Sequence, residues 1–146
     1  MRIVQHIMAV KTRNFNTINA DTLVIDALNL ISTLNLSYLI VMDNEEYKGI
    51  FSERDYSRNL ILKNKASAIT KVGEVMTTDL PMVRLNDTAE TCIHLANLHK
   101  TSYLLVYDED GKFVGVVTVQ DLLSQVLTEL RESNSSAVPK LAQDIY

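Results

Sequence analysis

Cysteine occurs once, at Cys92, so no intrachain disulfide can form and no cysteine cluster can hold zinc. Glycine (4 residues) and proline (2 residues) are scarce, which excludes a collagen-like chain. Apolar runs fall far short of the ~20 residues that a bilayer-spanning helix needs. The start of the chain, Met1-Arg2-Ile3-Val4-Gln5-His6, lacks the apolar stretch and small-residue cleavage site of a signal peptide. A cytoplasmic protein without a membrane partner is expected. Positive charge is not in excess, with 14 Lys/Arg against 18 Asp/Glu and a net charge of −4. Non-specific nucleic-acid binding needs a dense basic surface, so no nucleic-acid partner is expected.

What is present is the balance of an ordinary folded domain. Hydrophobic residues make up 47% and charged residues 22% of 146, which separates this chain from disordered ones. The length allows one compact unit or two small halves. The charge is spread unevenly. Residues 1–70 carry 8 Lys/Arg and 7 Asp/Glu, whereas residues 71–146 carry 6 and 11. Arg54, Arg58, Lys63 and Lys65 form a local basic cluster.

Catalytic constellations are missing. His94 and His99 are five apart and do not share a helix face, and His6 stands alone, so no metal set is expected. Cys92 lies on the apolar side of its segment, as a small buried hydrophobe would. There is no glycine-rich phosphate loop, nucleophile elbow or metalloprotease motif. The chain is not expected to be an enzyme.

The chain repeats itself. Ser37-Tyr38-Leu39-Ile40-Val41-Met42-Asp43 matches Ser102-Tyr103-Leu104-Leu105-Val106-Tyr107-Asp108. Gly49-Ile50-Phe51-Ser52-Glu53-Arg54-Asp55 matches Gly115-Val116-Val117-Thr118-Val119-Gln120-Asp121. One extra residue in the second turn separates the two offsets. Upstream, His6-Ile7-Met8 corresponds to Glu74-Val75-Met76, and the equivalent Met8 and Met76 read as core. Ala27, Leu30 and Ile31 align with Cys92, Leu95 and Ala96.

Each repeat has a readable plan. Leu23, Val24, Ala27, Leu28, Leu30, Ile31 and Leu34 recur at helical spacing and predict a helix over 22–34, capped by Asp21 or Thr22. The equivalent helix covers about 88–99, with Asp87 and Glu90 as a capping-box start. Strands follow at Tyr38–Met42 and Tyr103–Tyr107, with return strands at Lys48–Phe51 and Phe113–Val117. Glu109-Asp110-Gly111 is a hairpin signal. Second helices run over Tyr56–Lys63 and Leu122–Arg131, and short extended pieces lie near Thr17-Ile18 and Met82-Val83. Residues 64–71 form a polar junction, and the tail from Arg131, with Ser133-Asn134-Ser135-Ser136 and Pro139, reads as poorly ordered. A unit of ~65 residues buries too little surface to be comfortable alone, so two copies sharing a core are expected.

These residues resemble a tandem pair of CBS domains, a Bateman module, over roughly residues 1–130. The likeness rests on the two Gly-h-h-Ser/Thr-x-x-Asp motifs, each after an apolar strand ending in Asp, and on Val72-Gly73-Glu74-Val75-Met76-Thr77, similar to the family's entry into a second repeat. Ser52-Glu53-Arg54-Asp55-Tyr56 looks like the form found in stand-alone bacterial and archaeal members. The resemblance implies an α/β (α+β) fold of two pseudo-symmetric repeats, each a small sheet packed with two helices: 1–66, 67–130, and a tail at 131–146.

Two readings of the motifs stay open. Ser52-x-x-Asp55 and Thr118-x-x-Asp121 can be capping boxes. They can also contact a nucleotide, because helix-start amides and the dipole favour phosphate, and an acceptor-only aspartate suits two vicinal ribose hydroxyls. The resemblance implies adenosine sites shared between repeats. The first would join Ser52, Arg54, Asp55 and Arg58 to Thr77, Pro81, Met82, Val83, Ser102 and Tyr103. The second would join Thr118 and Asp121 to Lys11, Asn14, Asn16, Thr17, Ser37 and Tyr38. Backbone near Val83 and Thr17 would read the adenine edge. Arg54 and Arg58 flank the first aspartate, where guanidinium forks suit phosphate oxygens, whereas Gln120 and Ser124 flank the second. Tighter binding of a phosphorylated ligand is therefore expected at the first site. The implied ligand is AMP, with ADP, ATP, NAD or S-adenosylmethionine as the other adenosine compounds, and no metal. The implied role is regulatory, as a homodimer acting on an unidentified protein. The alternative is a structural dimerisation module with degenerate pockets.

Overall fold

The computed structural model describes residues 3–11 and 16–133. Near the start, β1 (Thr17–Ile18) lies parallel to β2 (Tyr38–Asp43), and α2 (Val24–Leu34) makes the crossover that a parallel pair requires. It follows α1 (Val4–Val10), a short helix that the repeat pattern did not predict. Strand β2 then turns back into β3 (Glu46–Ser52). Asn44 and Glu45 both have positive φ, 50° and 67°, in a two-residue turn whose hand matches the twist of the strands. The order β1-β2-β3 recurs as β4 (Met82–Arg84), β5 (Tyr103–Tyr107) and β6 (Phe113–Thr118), with α4 (Ala89–His99) as the crossover. Both hairpins are irregular at the same place, Val41/Met42 and Val106/Tyr107. Two small three-stranded sheets with their helices are the expected fold class.

The chain divides into two compact units whose borders do not follow the repeats. The first unit comprises residues 12–79; the second comprises residues up to Lys11 and from Leu80 onward. The opening stretch of each repeat thus packs with the rest of the other repeat. Helix α1 enters the second unit, where Val4 and Ile7 are buried beside Cys92, Leu104, Val117 and Leu122. Its first amides donate to the carbonyls of Asp87 (2.9 Å) and Leu85 (2.8 Å). Residues 72–77 enter the first unit, where Val72 and Val75 are buried with Val24, Leu39, Phe51 and Leu60. The division at 1–66 and 67–130 describes sequence similarity; burial of these leading apolar residues sets the packing.

Several local expectations are corrected. Neither Asp21 nor Thr22 caps α2; Leu23 is the N-cap and makes no side-chain bond. The first helical amides donate instead to the carbonyls of Thr70 (to Val24, 2.9 Å) and Ser67 (to Ile25, 3.1 Å). The stretch read as a polar junction therefore caps a helix, with Thr70 buried and its hydroxyl on the Ala66 carbonyl at 2.7 Å. At α4 the cap is Thr88, whose hydroxyl accepts from the Thr91 amide at 3.1 Å, while the Asp87 carboxylate accepts from the Arg84 amide at 2.8 Å. The helix expected over Tyr56–Lys63 is irregular: α3 (Glu53–Asp55) widens into a π turn at Tyr56–Leu60 and tightens into a 3₁₀ turn at Ile61–Lys63. This path buries Leu60 and lets the Asn59 amide donate to the Val75 carbonyl at 2.9 Å. Helix α5 (Val119–Ser133) is regular and runs past the expected tail boundary. Residues 134–146, Pro139 included, lie outside the described residues.

Candidate functional site

Each unit gathers its predicted site residues at one end of its sheet. In the first unit, Thr17 pairs with Ile40 near the start of β2, and Tyr38 pairs with Ser52 at the end of β3. In the second unit, Met82 pairs with Leu105, the Leu105 amide donates to the Pro81 carbonyl at 3.0 Å, and Tyr103 pairs with Thr118. The Ser102 carbonyl accepts from the Val119 amide at 3.0 Å. The Ser-Tyr pairs and the Ser/Thr-x-x-Asp motifs are neighbours because parallel and antiparallel pairing bring two strand starts beside one strand end.

Ser52 ends β3, and Asp55 folds back onto it. The Ser52 amide (2.9 Å) and hydroxyl (3.2 Å) both donate to Asp55 Oδ2. The Thr77 hydroxyl donates to Asp55 Oδ1 at 2.5 Å. Thr77 is held there by a reciprocal backbone pair with Ile50, both bonds 2.9 Å. That approach requires Gly49: a Cβ there would sit 2.8 Å from Met76 Sδ and 2.9 Å from the Thr77 carbonyl oxygen. Sequence reading noted this glycine in both motifs without giving it a role; its recurrence was the available signal. Three donors converge on Asp55, as suits an ionised acceptor. Asp55 is only 5% exposed. Burial pushes its carboxyl above the ordinary range, against the Thr77 and Ser52 hydrogen bonds and the nearby Arg54 charge. Arg54 and Arg58 are exposed, and neither makes an ion pair or hydrogen bond among the described residues.

The second motif has the same backbone geometry and different partners. The Thr118 amide donates to Asp121 Oδ2 at 2.9 Å, and the Asp121 amide donates to the Thr118 hydroxyl at 3.1 Å. The capping-box reading holds here in full. Lys11 Nζ donates to Asp121 Oδ2 and to the Val116 carbonyl, both at 2.8 Å. Burial pushes the Asp121 carboxyl up, but the Lys11 hydrogen bond and charge, with the Thr118 bonds, bring it below the ordinary range. Gln120 is exposed where Arg54 stands in the first repeat.

The structure therefore brings Ser52, Arg54 and Asp55 together with Thr77, and Thr118 and Asp121 together with Lys11. Asn16, Thr17, Ser37 and Tyr38 belong to the first unit; Pro81, Met82, Val83, Ser102 and Tyr103 belong to the second. Met82 is 65% exposed, whereas the Val83 side chain is buried in the core, so Val83 has mainly backbone to offer a ligand. Asn14 lies outside the described residues. A cleft of about 620 Å³ along α4 and α5 is lined by Ser102, Val119 and Leu123 but not by the Asp121 carboxylate.

Among the described residues, no group of three or more His, Cys, Asp or Glu side chains is placed to hold a metal ion. Cys92 is buried and its thiol is pushed up to about 11 by burial, with Asp87 adding to the shift, which fits an inert core residue. No helix among the described residues is long and apolar enough to cross a membrane.

A family model described as CBS domain matches residues 6–61 and again 72–128. The chain is 27% identical over 117 residues to the CBS domain-containing protein CBSX3, mitochondrial, of Arabidopsis thaliana, covering 77% of this chain and 56% of that protein. The chain thus spans about half the length of that curated relative. Among solved structures, the CBS domain of NE2398 superposes with a TM-score of 0.78 at 32% identity, covering 86% of this chain and 98% of that one. CBSX2 in complex with AMP superposes with a TM-score of 0.72 at 28% identity, covering 88% and 98%.

Proposed function

The chain belongs to the CBS-domain family, and on that premise we propose that it is a regulatory module that binds an adenosine nucleotide, AMP in the first instance, at the Ser52–Asp55 motif. The observation that carries this reading is the state of Asp55. It is a buried carboxylate that receives three neutral donors and no cation in direct contact, the Arg54 charge acts on it, and Arg58, also exposed, follows three residues on in the chain. A ribose diol would add two further donors to an acceptor that still has lone pairs to fill. Arg54 and Arg58 would meet the phosphate with charge-assisted bonds. The AMP complex of CBSX2, similar over most of this chain, supports the ligand class.

The module acts without catalysis and without a metal, in the cytoplasm, and changes the activity of a partner. A ligand does so only through differing affinity for two states of the module. It works as a homodimer. The support for this is a stripe of exposed leucines on α5, Leu123, Leu127 and Leu130, at 48%, 57% and 53% exposure.

Calorimetric titration with AMP tests the proposal. The native chain binds, Asp55→Ala loses at least tenfold in affinity, and saturating AMP at about 100 times its dissociation constant stabilises the fold by ~2.7 kcal/mol. Absence of binding and of any thermal shift with AMP, ADP, ATP, NAD and S-adenosylmethionine overturns it. The competing reading, a structural module with degenerate pockets, draws on the second motif alone, where Asp121 is already neutralised.

A further inference from the structure

The same motif occurs twice, yet its two aspartates are answered by opposite chemistry. Asp55 is met by hydroxyls and an amide. Asp121 is met by the Lys11 ammonium, which also holds the Val116 carbonyl on the adjoining strand. The repeat alignment shows which positions carry this difference. Thr77 follows Met76, and the residue that follows the equivalent Met8 is Ala9, which has no hydroxyl to offer. Lys11 stands where the other repeat has Asp79. The lysine is thus a substitute counter-group, and it comes from the end of α1.

We propose that Lys11 turns the second motif into an internal latch for α1, so that Asp121 holds the helix in place and Asp55 alone takes a ribose. Three features tie α1 to the second unit. Its first amides bond the carbonyls of Asp87 and Leu85, Val4 and Ile7 fill the core, and Lys11 clamps its end to β6 and α5. A ribose approaching Asp121 would have to displace a charge-assisted bond of 2.8 Å. It would give neutral hydroxyls in exchange for an ammonium and leave Lys11 without its carboxylate. At Asp55 the same diol displaces no cation. Lys11 is accordingly a residue that determines which motif takes ligand. That selectivity rests on the proposed adenosine function; the latch does not.

Two readouts on the full chain separate the claims. Amide hydrogen exchange over Val4–Val10 reads the latch with no ligand present. Lys11→Met lowers protection there by about tenfold or more, the loss expected of a charge-assisted bond. Lys11→Arg restores it, and Asp121→Asn, which keeps the side-chain shape, lowers it as well should Lys11→Met fail to fold. Unchanged protection in Lys11→Met or Asp121→Asn overturns the latch. Calorimetry with AMP reads the selectivity: the native chain takes one AMP, and Asp55→Asn takes none. Two AMP per native chain, or one remaining in Asp55→Asn, overturns the proposal. If no adenosine compound binds the native chain, the functional reading fails, and hydrogen exchange still decides the latch.

Discussion

Asp55 and Asp121 occupy equivalent positions and respond to pH in opposite senses. The Asp121 carboxyl titrates below its ordinary value of 3.8 in the folded chain. Its contribution to stability is therefore present above that value and lost as pH falls through the lower, folded one. The Asp55 carboxyl titrates above 3.8 in the folded chain, so its contribution is present below that value and lost as pH rises through the folded one. Removing Lys11 leaves Asp121 with burial and only the Thr118 bonds. Urea unfolding between about pH 5 and pH 2 should show the Lys11→Met chain losing less stability on acidification than the native chain. An identical acid slope in the two chains contradicts this account of Asp121. The sequence put Lys11 beside Thr118 and Asp121 only through the family resemblance; the direct bond, and with it the opposite titration of the two aspartates, was not legible, because Lys11 and Asp121 are far apart in the chain.

At the scale of elements, the hairpins and crossover helices were readable from periodicity, since an apolar run beside Asp-Gly or a helical stripe has few other uses. The caps were not. A helix start can be satisfied by any nearby acceptor, and at α2 the carbonyls of Ser67 and Thr70 do this in place of Asp21 or Thr22. The π turn after Asp55 was equally hidden, because it answers to the burial of Leu60 and the reach of Asn59. Gly49 joins element to site. Gly49→Ala places a Cβ against the Thr77 carbonyl, a backbone atom that cannot swing aside. The expected cost is about 1–3 kcal/mol, as for other overpacked sites. Thr77 should also move off Asp55, so the AMP affinity of Gly49→Ala should fall with its stability. Chemical denaturation and calorimetry on one preparation check both; a variant of native stability contradicts the close approach.

At the scale of the whole molecule, the leading segments are exchanged. Ile7 belongs to the first repeat by sequence but is 2% exposed in the core of the second unit. Ile7→Ala should therefore cost about 2–5 kcal/mol, and the loss should fall on the second unit. Hydrogen exchange is predicted to rise in β5, β6 and α4 while β2 and β3 keep their protection. Faster exchange in β2 and β3 with β5 and β6 unchanged would place Ile7 with its own repeat and contradict the exchange of segments.

The sequence by itself determined that the chain holds two copies of one plan, a short extended piece, a helix, a hairpin and a second helix, and which serines, threonines and aspartates recur in the motifs. These follow from local periodicity and internal similarity, both written in the order of residues. Tertiary structure alone decided that residues 3–11 pack with the second repeat and 72–77 with the first, since burial of Val4, Ile7, Val72 and Val75 depends on where apolar surface is left uncovered. It also decided that two motifs alike in sequence differ in the groups that meet their aspartates, hydroxyls and an amide at Asp55 and an ammonium at Asp121. The scarcity of cysteine, glycine and positive charge left few chemistries open, and the single lysine at Lys11 does more to distinguish the two halves than the whole basic cluster from Arg54 to Lys65.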